Sequence, residues 1–171
     1  MWVRFKTISG KNVSFSLEQD PEVEGAVVAI EPETGFIRAV VGGFSFTKSE
    51  YNRAVYAKRQ VGSAIKPIIY AAALEHGFTP ASIINDEPVS YPGGPQGEWR
   101  PENYDRKYYG PTTLREALVY SRNVVTVKIV DSIGIDKVIS FAKDVGISAD
   151  MPRELTIALG SISMSPLEMA T

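Results

Sequence analysis

A proline inside an otherwise helical run does most to restrict how this chain can fold. Ile65, Ile68, Ile69, Ala72 and Ala73 recur at the spacing that lines one helix face, and Gly77 supplies a stop. Pro67 has no N–H and is tolerated only in a first turn, so the pattern predicts a helix over residues 63–75 that starts close to Ser63. Upstream, residues 26–30 and 36–41 are strand-like runs separated by Glu31-Pro32-Glu33-Thr34-Gly35, which predicts a hairpin with a longer turn. Downstream, Thr113-Leu114-Arg115-Glu116 fits a capping box that opens a short helix burying Leu114, Ala117 and Leu118. The Val/Ile content of residues 124–133 suits a strand, but the length of the run before Gly134 suits a helix, and we read it as a helix. Residues 136–145 form a clearer amphipathic helix, with Val138, Ile139, Phe141, Ala142 and Val145 inward.

Residues 1–24 hold two strand-like runs around Ser9-Gly10 and then an acidic, Pro-containing stretch. They read as an interdomain linker or the tail of a preceding domain, with a second unit over residues 25–171. Residues 88–111 are Pro/Gly-rich, carry Tyr91, Trp99, Tyr104, Tyr108 and Tyr109, and predict a long ordered loop. Near the other end, Ser165-Pro166-Leu167-Glu168 combines an N-cap serine, a first-position proline and a third-position glutamate. A helix begun so clearly and cut after about a turn and a half is marginal alone, so the natural domain is expected to continue past Thr171.

Several chemistries are disfavoured by composition. The chain has 171 residues and a formal net charge of -2, which gives no basic field for nucleic acid. It has no cysteine, so disulfides, thiolate nucleophiles and Cys-based zinc sites fall away together. His76 is the only histidine, which leaves little material for a Ser-His-Asp triad. No apolar run has the length of a bilayer-spanning helix. Nothing in the pattern calls for a cofactor or metal.

Ser63-Ala64-Ile65-Lys66 places a hydroxyl and an amine three positions apart, on one face of the predicted helix. The positive helix end suits an attacking oxygen, and burial pushes a lysine toward the neutral amine that can take its proton. Such a pair also occurs by chance as a capping serine and a solvated lysine. Ser121-Arg122-Asn123 follows the Thr113 helix, where a hydroxyl can relay a proton and an amide can hold a carbonyl or an amine. Helix termination is the ordinary use of these residues. The stretch between the two motifs leaves room for the second to fold back beside the first. Gly42-Gly43 with Lys48-Ser49 fails as a phosphate loop, because Thr47 stands where glycine is required. His76 reads as a favourable charge at a helix C-terminus and the loop aromatics as packing.

These segments resemble a family, the class A penicillin-binding proteins, whose signature joins Ser-x-x-Lys, Ser-x-Asn and Lys-Thr-Gly. The likeness extends through Asn52-Arg53-Ala54, Arg59 to Tyr70, Trp99-Arg100-Pro101-Glu102-Asn103-Tyr104, Leu114 to Leu118, Ser121-Arg122-Asn123, Ala158-Leu159-Gly160-Ser161 and Ser165 to Ala170. It covers roughly residues 20 to 171. The resemblance implies an α+β fold of the penicillin-binding protein or serine β-lactamase-like transpeptidase kind, an antiparallel sheet packed with helices, incomplete in this chain. It implies a D,D-transpeptidase that cross-links peptidoglycan stem peptides and is acylated by β-lactams. Matching positions make Ser63 the nucleophile, Lys66 the general base, Ser121 a proton relay toward the leaving group and Asn123 an anchor for substrate and lysine. It further implies a parent protein anchored at the outer face of the bacterial cytoplasmic membrane, with a glycosyltransferase domain upstream.

The chain contains no Lys-Thr-Gly. In the family that element lies on a later strand, so the third wall of the cleft, with half the oxyanion hole, is expected from the missing C-terminal half of the domain. Losing one oxyanion donor costs about 2.7–4 kcal/mol of barrier, which predicts that the stretch alone is nearly inactive. Two alternatives stand beside the transpeptidase: a D,D-carboxypeptidase or β-lactamase-type hydrolase, and a non-catalytic fold half or partner-binding fragment.

Overall fold

The structure is a computed structural model that describes residues 2–9, 12–93 and 97–171. The two N-terminal runs are strands β1 (Trp2–Ser9) and β2 (Asn12–Glu18), paired antiparallel. The Gly10 position named in the sequence pattern lies outside the described residues. The predicted hairpin forms from β3 (Val27–Ile30) and β4 (Ile37–Val41), antiparallel in register Val27 to Val41. Its turn is held by Glu31 and Phe36 backbone bonds and by Arg38, whose guanidinium donates to Glu31 at 2.8 Å.

The next segment, without a predicted element, contains a single helical turn, α1 (Arg53–Tyr56), capped by the Asn52 side chain, and a short strand, β5 (Arg59–Gln60). The predicted helix over residues 63–75 divides in two. Gly62–Ile65 is a 3₁₀ turn, and α2 (Lys66–Glu75) is the α-helix proper. Pro67 explains the division: an α-helix through Ser63 needs an N–H at position 67 to meet the Ser63 carbonyl, and proline has none. That carbonyl instead accepts from the Lys66 N–H.

Either side of the expected loop, β6 (Ile83–Asp86) pairs antiparallel with β9 (Gly110–Thr113), and within it β7 (Tyr91–Pro92) pairs with β8 (Glu98–Trp99). Thr113 then caps α3 (Leu114–Val119) in a complete capping box with Glu116. Residues 124–133 are helical, within α4 (Asn123–Ile133), and α5 (Ile135–Asp144) follows Gly134, whose φ of 92° turns the chain between them. A 3₁₀ turn, Leu155–Leu159, leads through Gly160 to β10 (Ser163–Met164), which pairs antiparallel with β5. Ser165 closes its capping box with Glu168 at the head of α6 (Pro166–Ala170).

The core sits between α2, α4, α5 and the Leu155–Leu159 turn. Ile65, Ile69, Ala72 and Ala73 from α2 and its 3₁₀ lead meet Val125, Ile129 and Val130 from α4, all essentially without solvent contact. The alanines keep the facing side chains small, which lets the helix axes approach. Leu118 and Val145 depart from the expected inward set, being 37% and 46% exposed. A helix as short as α3 presents one narrow stripe, Leu114 and Ala117, and Leu118 falls beside it. Val145 lies one residue past α5, where the helical period no longer sets its direction. Among the described residues no helix is long and apolar enough to cross a membrane.

Candidate active site

The α3–α4 connection returns to the head of α2 and brings the two motifs together. Lys66 is 1% exposed, and its Nζ donates to the Ser121 carbonyl at 2.7 Å, to Ser121 Oγ at 3.0 Å and to Asn123 Oδ1 at 2.7 Å. Ser121 Oγ in turn donates to Ser63 Oγ at 3.1 Å. The bonds therefore run from lysine to the first serine through the second.

Local backbone explains how Ser121 serves two bonds to one ammonium. Its φ is 53°, a left-handed conformation that a non-glycine residue rarely adopts and that costs roughly 1–2 kcal/mol. This twist turns both its carbonyl and its hydroxyl toward Lys66. Nothing in the residue type announces it, and sequence reasoning gives no reason to expect strain there. Asn123 opens α4, its Nδ2 donating to the Glu102 carbonyl at 3.0 Å while its Oδ1 faces the ammonium.

Arg122 points away from this cluster. Its guanidinium lies 3.4 Å from the centroid of the Tyr109 ring and 3.6 Å from Asp105, whose carboxylate also accepts from the Tyr109 hydroxyl. Tyr91 and Trp99 pack against each other and the core, with ring centroids 6.1 Å apart. Tyr104, by contrast, is fully exposed. His76 caps α2, and a ring nitrogen meets the Ala72 carbonyl at 2.8 Å.

Ser63 is held from behind by a backbone ladder. Val61 N–H donates to the Ile162 carbonyl at 3.0 Å and Gly62 N–H to the Gly160 carbonyl at 3.3 Å, extending the β5–β10 pair up to the serine. Gly160 has a φ of 75° and lies against the Gly62 backbone so closely that a Cβ would sit 2.1 Å from the Gly62 carbonyl oxygen. Its place in the family-like Ala158-Leu159-Gly160-Ser161 segment was a sequence signal without a stated role.

Burial lowers the Lys66 pKa from 10.5 to about 8, because the ammonium has given up water for three fixed acceptors. The Ser121 carbonyl and Asn123 Oδ1 can only accept. When Lys66 loses its proton, its two remaining hydrogens satisfy those two oxygens, and the lone pair faces the one partner able to donate, Ser121 Oγ. Once Ser121 turns its O–H from Ser63 to the neutral amine, its oxygen can accept from the Ser63 hydroxyl, and the arrangement can draw a proton from Ser63 across Ser121 to Lys66.

A pH dependence follows. A base must be neutral to accept, so a rate limited by this transfer rises with pH through about 8 and levels off above it. With that midpoint, the neutral fraction grows roughly tenfold between pH 7 and pH 9. Rates of Ser63 modification by an acylating probe, measured across this range, are expected to follow that curve. The same burial makes the ammonium costly below about pH 8, and the stability this group contributes rises between about 8 and 10.5, where only the unfolded chain still holds the proton.

The family model for the penicillin binding protein transpeptidase domain matches residues 25–171. The chain belongs to the penicillin-binding protein transpeptidase family. It is 44% identical over 89% of its length to penicillin-binding protein 1A of Pseudomonas aeruginosa, covering 19% of that protein. It is also 44% identical over 99% of its length to penicillin-binding protein 1A of Vibrio cholerae, covering 21% of that protein. The crystal structure of penicillin-binding protein 1A from Haemophilus influenzae superposes with a TM-score of 0.82 at 39% identity, over 90% of this chain and 23% of that one. The chain thus spans about a fifth of the length of the relatives it matches. Mixed helices and small antiparallel sheets agree with an incomplete α+β transpeptidase fold of the penicillin-binding type.

Proposed function

We propose that this penicillin-binding transpeptidase chain carries the nucleophile side of a D,D-transpeptidase site, with Ser63 as nucleophile and Lys66 as base. The observation that carries this reading is the continuous bond path from Lys66 Nζ through Ser121 Oγ to Ser63 Oγ. Neutral Lys66 takes the Ser121 hydroxyl proton as Ser121 takes that of Ser63, and Ser63 Oγ attacks the carbonyl of the penultimate D-Ala of a stem pentapeptide. As the tetrahedral intermediate collapses, the C–N bond breaks and the leaving nitrogen receives a proton back through Ser121. Terminal D-Ala departs, and an ester remains on Ser63. The amine of a second stem peptide then attacks the ester, forms the cross-link and frees the serine. A β-lactam enters by the first half of this sequence and stops at the ester, because its opened ring stays attached.

Asn123 fixes the ammonium and, on its exposed side, offers an amide to substrate. A segment bearing Lys-Thr-Gly is expected to supply the remaining oxyanion donor, and without it acylation is about 10²–10³-fold slower. The setting that fits this chemistry is peptidoglycan at the outer face of the cytoplasmic membrane, in a parent protein with an anchor and an upstream glycosyltransferase domain. Labelling with a fluorescent penicillin tests the reading, with the chain alone and with the chain substituted for its counterpart in the Pseudomonas aeruginosa relative. Covalent fluorescence is expected in both, faster in the second, and lost in Ser63→Ala. Label that survives Ser63→Ala sinks the nucleophile assignment.

A further inference from the structure

Asp86 is a completely buried carboxyl group outside the Ser63–Lys66–Ser121–Asn123 cluster. It ends strand β6 and meets the side chain of Asn103, which is 4% exposed. Asn103 Nδ2 donates to Asp86 Oδ1 and Oδ2 at 2.9 and 2.8 Å and to the Lys107 carbonyl at 2.8 Å. With both amide hydrogens so engaged, Asn103 Oδ1 is left facing the other way. It accepts from the backbone N–H of Asn123 at 2.8 Å and of Val124 at 3.3 Å.

Those two N–H groups are the first of α4, and a helix of this length needs its opening donors satisfied. The residue that ordinarily does so cannot, because the N-cap position is Arg122, which makes no side-chain cap bond and lies against Tyr109. Asn103 supplies the cap from a distant loop. The residue it caps is the one whose side chain holds Lys66. One residue before Asn103, the Glu102 carbonyl accepts from Asn123 Nδ2, which settles that amide with its oxygen toward the ammonium. Both ends of Asn123 are therefore fixed by the 102–103 segment, and that segment is fixed by Asp86.

We infer that Asn103 and Asp86 are positioning residues for the Lys66 base, acting through Asn123 as a cap that α4 borrows from the loop. Neither touches the reacting atoms. Their effect on Lys66 passes through one residue, which separates this role from general support of the fold. The inference deepens the reading of Lys66 as base, and its test does not depend on turnover.

The test uses the 171-residue chain itself. Nitrogen-15 lysine NMR follows the Lys66 side chain through pH in the unsubstituted chain, in Asn103→Ala, in Asn123→Ala and in the double variant. Asn103→Ala is expected to displace the Lys66 titration midpoint by at least about half a pH unit. It is also expected to speed exchange of the Val124 amide by about tenfold or more. On the Asn123→Ala background the same substitution is expected to displace the midpoint no further, since residues acting through one contact are not additive. An unchanged midpoint in Asn103→Ala, or displacements that simply add, overturns the inference. If Asn103→Ala does not fold, Asp86→Asn keeps the shape of the buried pair and takes its place in the cycle. A displacement that persists in the absence of the Asn123 side chain then overturns the inference equally. Failure of Ser63 to acylate when the chain replaces its counterpart in the Pseudomonas aeruginosa relative refutes the transpeptidase reading and leaves this result to stand on its own.

Discussion

Replacing Lys66 by methionine is expected to slow acylation of Ser63 by about 10²–10⁴-fold, the range a lost general base ordinarily costs. Methionine is close in length and fits the buried slot, so the loss is chemical and does not come from a hole in the core. Two effects on stability oppose one another. The Ser121 carbonyl and Asn123 Oδ1 lose their donor, at about 1–3 kcal/mol each. Against that, a buried ammonium no longer has to be kept out of water. The melting temperature should therefore stay within about 10 °C of the unsubstituted chain while the acylation rate collapses. Rates of covalent labelling by a fluorescent penicillin, followed beside a thermal melt, check both halves. Lys66→Met labelling at the unsubstituted rate would show that another group removes the proton.

The second large effect lies behind the nucleophile. Gly160→Ala places a Cβ 2.1 Å from the Gly62 carbonyl oxygen and 2.5 Å from its Cα, both backbone atoms that cannot swing aside. The φ of 75° adds the left-handed penalty of roughly 1–2 kcal/mol, and forced overpacking adds about 1–3 kcal/mol. A loss of about 2–5 kcal/mol is expected, which lowers the melting temperature by about 4–20 °C at this chain length. Because the displaced backbone immediately precedes Ser63, acylation should fall as well, even well below the melting temperature. Gly134→Ala is the comparison: its φ is 92° but nothing lies within 4 Å of the added Cβ. It should cost only the conformational penalty and leave acylation unchanged. Chemical denaturation of the two variants separates strain from collision, and equal losses would show that the Gly160–Gly62 contact is unimportant.

Local features were legible in the residues wherever a single turn or helix decided them. Thr113 and Ser165 announce their capping boxes with glutamate three positions on, and both boxes form as read. The hairpin of β3 and β4 is set by a pattern that needs no distant partner, whereas residues 124–133 suit strand and helix alike and are helical where they pack on α2 and the Leu155–Leu159 turn. Pro67 was read correctly as limiting the helix, yet where that limit falls depends on its i−4 carbonyl, which moves the α-helix start from Ser63 to Lys66. Pairings between remote segments were not legible. Strand β6 is four residues long, and only its partner β9, across the aromatic loop, gives it a ladder. The site divides in the same way. Spacing suggested Ser63 with Lys66 and marked Ser121 and Asn123 as a second motif able to fold back beside them, and the resemblance joined the two motifs into one site. The strained Ser121 backbone, the Gly160 contact with Gly62 and the Asp86–Asn103 support arise only when five separate segments meet.

Whether Ser63 forms the ester decides the proposed mechanism. Setting the chain in place of its counterpart in the Pseudomonas aeruginosa relative, incubating that protein with benzylpenicillin over hours, digesting it and weighing the peptide that carries Ser63 measures this directly. This peptide is expected to gain the mass of one whole penicillin, faster at pH 9 than at pH 7, while Ser63→Ala gains nothing. An adduct on the peptide carrying Ser121, or an unmodified Ser63 peptide in a protein whose melt shows it folded, would overturn Ser63 as the nucleophile.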